Sequence, residues 1–389
     1  MNPRDAVIVS AVRTPVGSFL GVFKDVSNIA LGAVAIREAV RRSGIEDASV
    51  DEVVMGNTIV AELGGNPARE AMLAAGLPFG VPAFTVNKNC ASGTKSVALA
   101  AAMIRHGEAD VVVAGGMENM SRCPYALKEA RTGYRLGHGQ LVDTLMEGLD
   151  GMGMTAERLA EKYGISRQEQ DEFACASQMK AAKAQEEGRF AEQIVPVSVP
   201  QRKGDPALVA KDEAGRPDTT LEKLAALKPA FKEGGTVTPG NASTINDGAA
   251  AVVLMSAEKA SALGIAPLAA VKAWASAGCD PAIMGIGPVP ATQRLMRTAG
   301  MALADFDLVE INEAFAAQTL AVLRELPVEP DRLNVNGGAI ALGHPTGATG
   351  SVLVVRLVHE MKRRSARRGL VTLCVGGGQG MALAIERCA

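Results

Sequence analysis

The sequence predicts an α/β fold made of a duplicated unit, with a polar segment inserted between the two halves. Three observations carry this. Apolar runs of strand length alternate with stretches of helical period at both ends of the 389 residues. The C-terminal third repeats the order of the N-terminal third. The middle breaks the alternation.

Taken in order, residues 7–9 read as a first strand, Asn28–Ser43 as a helix and 51–55 as a strand. A short strand over 85–87, a helix over Ser92–His106 and a strand over 111–114 follow. Strand–helix–strand units with short loops imply right-handed crossovers and a mostly parallel sheet. The repeat aligns Gly44 with Gly300, Asp51 with Asp307 and Val53 with Val309 at one constant separation. Val86 and Asn87 then match Val335 and Asn336, and Gly115 and Gly116 match Gly376 and Gly377, with the offset drifting by a few residues. The middle, 121–237, holds one long polar helix over 166–188, opened by the capping-box pair Ser166 and Glu169. Turn-rich stretches at 200–206 and 215–217 surround it, as expected of an insertion that lies over one face and carries ligand contacts.

Composition narrows the function. With about 100–200 residues per domain, the length allows two or three domains and a large core. Charged residues are 21% and hydrophobic ones 48%, which excludes a disordered chain. One Trp, three Tyr and nine Phe leave little for a base-stacking surface. A net charge of −2 gives no overall basic field to attract nucleic acid or membrane. Six cysteines without a CxxC or regular spacing form neither a disulfide framework nor a zinc site. Free thiols suit a reducing compartment. The first apolar run is too short for a signal sequence, and none approaches the ~18–20 residues of a membrane span. A soluble, cytoplasmic protein is the expectation.

Three residues stand out for chemistry. Cys90, in FTVNKNCASGTKS, follows a strand and a tight turn and precedes a helix, whose N-terminus favours a thiolate. A buried cysteine acting as a small hydrophobe is the alternative, weakened by the polar flanks Asn87, Lys88, Asn89 and Ser92. His344, in GGAIALGHPTGATGS, sits on a stiff glycine- and proline-rich turn before another helix. A satisfied structural histidine is the alternative there. His106, His138 and His359 read as solvated. Cys374 ends a strand and meets three consecutive glycines, which let a ligand approach backbone amides. There is no GxxxxGK[ST] loop and no dinucleotide fingerprint, so phosphoryl and hydride transfer lose support. Two cysteines and a histidine at strand ends beside glycine turns suit acyl-thioester chemistry, with the second cysteine as a separate acid and base.

The chain resembles the thiolase family, of the acetyl-CoA acetyltransferase type, over essentially its whole length. The motifs are NKNCASG at 87–93, GGMENMS at 115–121, MGMTAE at 152–157, GNASTINDGAA at 240–250, NEAFAAQ at 312–318, GHPTGATG at 343–350 and CVGGGQG at 374–380. The resemblance implies a duplicated five-layered α/β/α/β/α core. An N-terminal half over 1–120 would be completed by about 238–265, a loop domain over 121–237 would cover the coenzyme A site, and a C-terminal half would span 266–389. It implies Cys90 as the acylated nucleophile, His344 as its base and Cys374 as the group that moves the α-proton. Asn312 would hold a water that forms one oxyanion hole with His344, and the amides of Cys90 and Gly376 would form the other. Ser243, Met152, Phe231 and Phe315 match pantetheine-contacting positions, and Arg216 one near the adenine and phosphates.

The expected activity is reversible condensation of two acetyl-CoA, or thiolysis of a 3-ketoacyl-CoA, with coenzyme A as substrate, no permanently bound cofactor and no metal. A decarboxylating 3-ketoacyl synthase of similar fold is the enzymatic alternative, and a non-catalytic acyl-CoA-binding protein the other. The segment 121–143 matches the one that mediates tetramer contacts, so a homotetramer built from dimers is expected. Two departures from the family pattern stand out: Gly151 where His often precedes Met, in a shortened MEGLDGMGMTAE, and Thr244 where Gly is usual.

Overall fold

The computed structural model describes residues 2–60, 63–149 and 151–388; Asp150, inside the shortened motif, lies outside them. Nine strands carry the core: β1 (Ala6–Arg13), β2 (Glu52–Gly56), β3 (Ala83–Val86), β4 (Val111–Asn119), β5 (Asn246–Ser256), β6 (Ala269–Gly278), β7 (Leu308–Ile311), β8 (Arg368–Val375) and β9 (Gln379–Arg387). With the two-residue strand Gly17–Ser18 on β5, they form one sheet in the order β7-β8-β9-β6-β1-β5-β4-β2-β3. The order is a palindrome of two halves that meet where Val7 and Ile8 of β1 pair with Ala270 and Ala269 of β6. An isolated parallel bridge from Val309 to Leu333 extends the second half as β3 extends the first.

The halves stack into five layers. The central layer is α3 (Ser92–His106) against α8 (Thr346–Arg364), enclosed by one face of each half-sheet. Outside the first half lie α1 (Asn28–Ser43) and α2 (Pro67–Ala74), and outside the second α6 (Pro288–Ala299) and α7 (Ala316–Glu325). This is why residues 248–255 of β5, GAAAVVLM, read as an unbroken apolar run. Ala250, Val252 and Leu254 face the central helices, while Ala249, Ala251 and Val253 face the outer ones. The central helices approach so closely that a Cβ on Gly93 would overlap Ser351, and one on Gly350 would overlap Thr94.

The sequence repeat has a physical basis. Gly44 and Gly300 close α1 and α6 at φ of 75° and 63°, the left-handed region that glycine adopts without penalty. The Asp51 carboxylate then accepts from the amides of Asp110 (2.7 Å) and Val111 (2.9 Å). Asp307 does the same for Arg367 (2.7 Å) and Arg368 (2.9 Å). Three expectations need correction. Among the described strand pairs of the sheet only β2–β3, β2–β4 and β7–β8 run parallel, because each half closes with a strand that returns antiparallel to its neighbour. The parallel registers place Val113 beside Val53 and Leu370 beside Val309, so Gly115 corresponds to Thr372 and not to Gly376. The inserted segment also has more than one helix: α4 (Met152–Tyr163) precedes α5 (Arg167–Glu186), and the Ser166–Glu169 capping box is present.

Candidate active site

Cys90 reaches its position through a chain of short polar contacts. After β3, the Asn89 amide donates to Asn87 Oδ1 (3.0 Å), and Ser92 Oγ accepts from the Lys88 amide (2.9 Å). Ser92 Oγ also donates to the Asn89 carbonyl (2.7 Å). Asn89 takes φ = 46°, a left-handed value that asparagine tolerates better than most residues. Its Nδ2 donates to the Gly376 carbonyl (2.9 Å), tying the cysteine turn to the glycine turn that follows β8.

Burial pushes the Cys90 thiol up to about 11, against the opposing pull of the Gly376 and Cys90 amides that point at the sulfur. Desolvation outweighs the amides, and Cys90 rests as a thiol.

His344 stands on the facing turn. Its amide donates to Asn246 Oδ1 (2.8 Å), and Asn246 Nδ2 donates to the Gly17 carbonyl (2.9 Å). Thr244 Oγ1 also donates to Asn246 Oδ1 (2.8 Å), so the unusual threonine braces the residue that holds His344. The ring Nδ1 lies 2.6 Å from Thr349 Oγ1, whose own proton goes to the Pro345 carbonyl (2.8 Å). Thr349 thus accepts from Nδ1–H, and this hydrogen-bond network assigns the lone pair to Nε2. Burial drives His344 down to about 4, so the imidazole is neutral at physiological pH. Asn312 Nδ2 sits 3.3 Å from Nε2, while its buried Oδ1 has no hydrogen-bond partner among the described residues.

Cys374, at the end of β8, is fully buried. Burial raises its thiol far above the ordinary range, and the neighbouring Cys90 sulfur adds to the shift.

One cavity of about 900 Å³ joins Cys90, His344, Cys374 and Gly376. Met152, Arg216, Phe231, Ser243 and Phe315 line it too. The Phe231 and Phe315 rings meet edge to face, 6.0 Å between centroids. Of the residues singled out in the sequence, only Asn312 reaches the cavity indirectly, through His344.

Two carboxylates escaped the sequence reading although both stand in quoted motifs. Glu118 is 1% exposed and accepts from the Thr58 amide (2.9 Å), the Gly347 amide (2.8 Å), Thr346 Oγ1 (3.0 Å) and Asn57 Nδ2 (2.6 Å). It pins the His344 turn to the first half. Glu313 accepts from Ser177 Oγ (2.6 Å) and Asn334 Nδ2 (2.7 Å), linking α5 to the strand end that carries Asn312. The available signal was a lone acid in an apolar, glycine-rich run (GGMEN) or at a strand end (INEAF). His359 is a smaller correction: it is mostly buried, with Nε2 against the Ala11 carbonyl (2.9 Å).

Two symmetry-related helices begin at this cavity, one following a thiol and the other following an imidazole. Together with the five-layered fold they mark the class as an acyltransferase. The family model described as Thiolase, N-terminal domain matches residues 6–258, and that described as Thiolase, C-terminal domain matches 265–387. The chain belongs to the thiolase family.

It is 56% identical to an acetyl-CoA acetyltransferase of Pseudomonas aeruginosa, over 99% of this chain and 100% of that protein. It is 54% identical to one of Escherichia coli, over 99% of each. The crystal structure of the Bacillus anthracis acetyl-CoA acetyltransferase superposes with a TM-score of 0.97 at 49% identity, covering 99% of each chain. Human mitochondrial 3-ketoacyl-CoA thiolase in complex with CoA gives 0.95 at 42% identity, covering 99% of this chain and 98% of that one.

Proposed function

We propose that the enzyme transfers acyl groups between coenzyme A thioesters through Cys90, condensing two acetyl-CoA or cleaving a 3-ketoacyl-CoA with coenzyme A. The observation that carries this is the single cavity that brings Cys90, His344 and Cys374 together, with the Cys90 and Gly376 amides beside the sulfur.

In the condensing direction His344 Nε2 takes the Cys90 proton as the sulfur attacks the thioester carbon. The two amides hold the oxygen that becomes negative, an effect commonly worth several kcal/mol. The departing coenzyme A thiolate takes the Cys374 proton. This leaves Cys374 as a thiolate that burial has made strongly basic, suited to removing the α-proton of the second acetyl-CoA. The carbanion attacks acetyl-Cys90, and the released Cys90 thiolate recovers its proton from His344. Every proton is returned, and thiolysis runs the same steps backwards. Asn312, which touches His344 Nε2, would steady the enolate oxygen through a water.

Ser243, Met152, Phe231 and Phe315 would hold the pantetheine, and Arg216 the nucleotide. In this reading 121–237 is a loop domain over the substrate, and the halves are 1–120 with about 238–265, and 266–389. No described helix is long and apolar enough to cross a membrane. We place the enzyme in the cytoplasm as a homotetramer whose partners are acyl-CoAs and not nucleic acid or membrane.

The test is intact mass after exposure to acetyl-CoA. Cys374→Ser keeps the size but raises the side-chain pKa, so acetyl-Cys90 should form and persist. Cys90→Ala should carry no acetyl group. The reverse pattern would exchange the roles, and no adduct on either with both still active would end the covalent reading.

A further inference from the structure

The cavity wall contributed by Glu213, Ala214, Gly215 and Arg216 belongs to the inserted segment, yet it is anchored from the first strand of the core. Arg13, the last residue of β1, meets Asp212 in a bidentate pair: Nη1 to Oδ1 at 2.6 Å and Nη2 to Oδ2 at 2.8 Å. Both side chains are only 1% exposed. Arg13 Nε donates to Gln193 Oε1 (2.8 Å), the Phe190 ring lies under the guanidinium at 5.3 Å, and Asp212 Oδ1 also accepts from the Val16 amide (2.9 Å).

Beyond Asp212 the chain is fixed again. The Glu213 amide donates to the Val16 carbonyl (3.0 Å), and its carboxylate accepts from the amides of Ser18 (2.7 Å) and Val22 (3.1 Å). At the far end the Arg216 amide donates to Gln178 Oε1 (2.9 Å) on α5.

A buried ion pair is poor evidence for a stability device, because apolar residues of similar volume stabilise a core equally or better. What a bidentate arginine–carboxylate pair adds is geometry, since two parallel bonds fix angle as well as distance. Here the geometry being fixed is that of four consecutive cavity-lining residues. We infer that the Arg13–Asp212 pair is a latch that holds the 213–216 strap in place as the wall receiving the nucleotide end of coenzyme A thioesters. Arg13, Asp212 and Glu213 are thus positioning residues for coenzyme A affinity, not for acyl transfer. The inference rests on the proposed coenzyme A reading of Arg216.

The experiment compares thiolysis of acetoacetyl-CoA with that of the acetoacetyl thioester of N-acetylcysteamine, which carries the thioester end but no nucleotide. In each case the corresponding free thiol is the acceptor. For Arg13→Lys and Asp212→Asn, KM for the coenzyme A thioester should rise about tenfold, the factor that 1.4 kcal/mol of lost binding represents. Its kcat should stay within about twofold, and kcat/KM for the truncated thioester should not move. Equal losses with both thioesters would show a merely structural pair, and no loss with either would show an idle one; each overturns the latch.

If those variants do not fold, Asp212→Glu decides, because it keeps the charge and displaces only the carboxylate that pairs with Arg13. The same selective rise is expected, and an unchanged ratio overturns the inference. Arg216→Ala separates the two layers of the argument. If its KM for the coenzyme A thioester is normal, the nucleotide assignment itself falls. If it is raised while the latch variants behave as wild type, only the latch falls.

Discussion

Lowering the pH should leave the acylation step almost untouched down to about pH 5, because burial alone sets the protonation of His344. An imidazole at its ordinary 6.5 would be only about 9% neutral at pH 5.5, whereas one held at about 4 is about 97% neutral there. Cys90, raised to about 11, stays a thiol throughout this range and adds no slope of its own. The assay is the pH dependence of kcat/KM for acyl-Cys90 formation, which reports groups of the free enzyme. A tenfold fall between pH 7.5 and 5.5 would refute the reasoning, since it would mean that His344 titrates near its ordinary value.

The same burial has a stability signature. Between about 6.5 and 4 the unfolded chain binds a proton at this histidine and the folded chain does not. This costs no stability above about 6.5; stability is lost as the pH falls towards 4, and the loss has reached about 2 kcal/mol at pH 5. Asp247 (raised to about 6) and Glu310 (raised to about 7) act in the opposite sense, favouring the fold as pH falls. The difference between wild type and His344→Gln in urea unfolding isolates the histidine, because both chains share those carboxyls. Parallel stability–pH curves for the two chains would contradict the assignment.

Although Cys90 rests as a thiol, the neutral His344 in the same cavity can take its proton as it reacts, so iodoacetamide should alkylate it first among the six cysteines, and acetyl-CoA should protect it; peptide mapping that finds Cys123 or Cys388 first, with activity lost, would count against Cys90. Glu118→Ala should lower stability by about 3–5 kcal/mol, since it strands the buried donors on Asn57, Thr346 and Gly347. A urea midpoint equal to that of wild type would show that the carboxylate is dispensable. Light scattering should report a tetramer, consistent with Tyr125, Leu127 and Leu141 exposed on the hairpin of Tyr125–Leu127 and Leu141–Asp143; a stable monomer would exclude it.

Features written in local chemistry were legible in the sequence. Gly44, Asp51, Gly300 and Asp307 each act within a few residues or on the neighbouring strand end, so the repeat showed in the letters. The turns bearing Cys90 and His344 were legible for the same reason, being built from glycine, asparagine, proline and serine. Strand direction was not, because alternation of side chains is the same in parallel and antiparallel neighbours. Helix α4 was obscured by its opening GMGMT, although Ala156, Leu159 and Ala160 do form a buried stripe. The charge state of Cys90 depends on how deeply distant segments bury it. Asn312 gave no local hint of its pairing with His344; only the resemblance pointed to it.

The close crossing of α3 and α8 brings together two ends that electrostatics would keep apart. Each helix begins at the catalytic cavity, and each N-terminus carries about half a positive charge from its aligned peptide dipoles. Two such ends side by side repel, and glycines at 93 and 350 allow them to touch. Glu118, seated on the first amides of α8, offsets part of this. The rest remains as a positive field fixed in the backbone, with no mobile side chain to reorient. It is poorly satisfied while Cys90, Cys374 and His344 are all neutral. It becomes favourable only when a thiolate or an enolate appears, so the fold holds its electrostatic balance in reserve for the short-lived anions of the reaction.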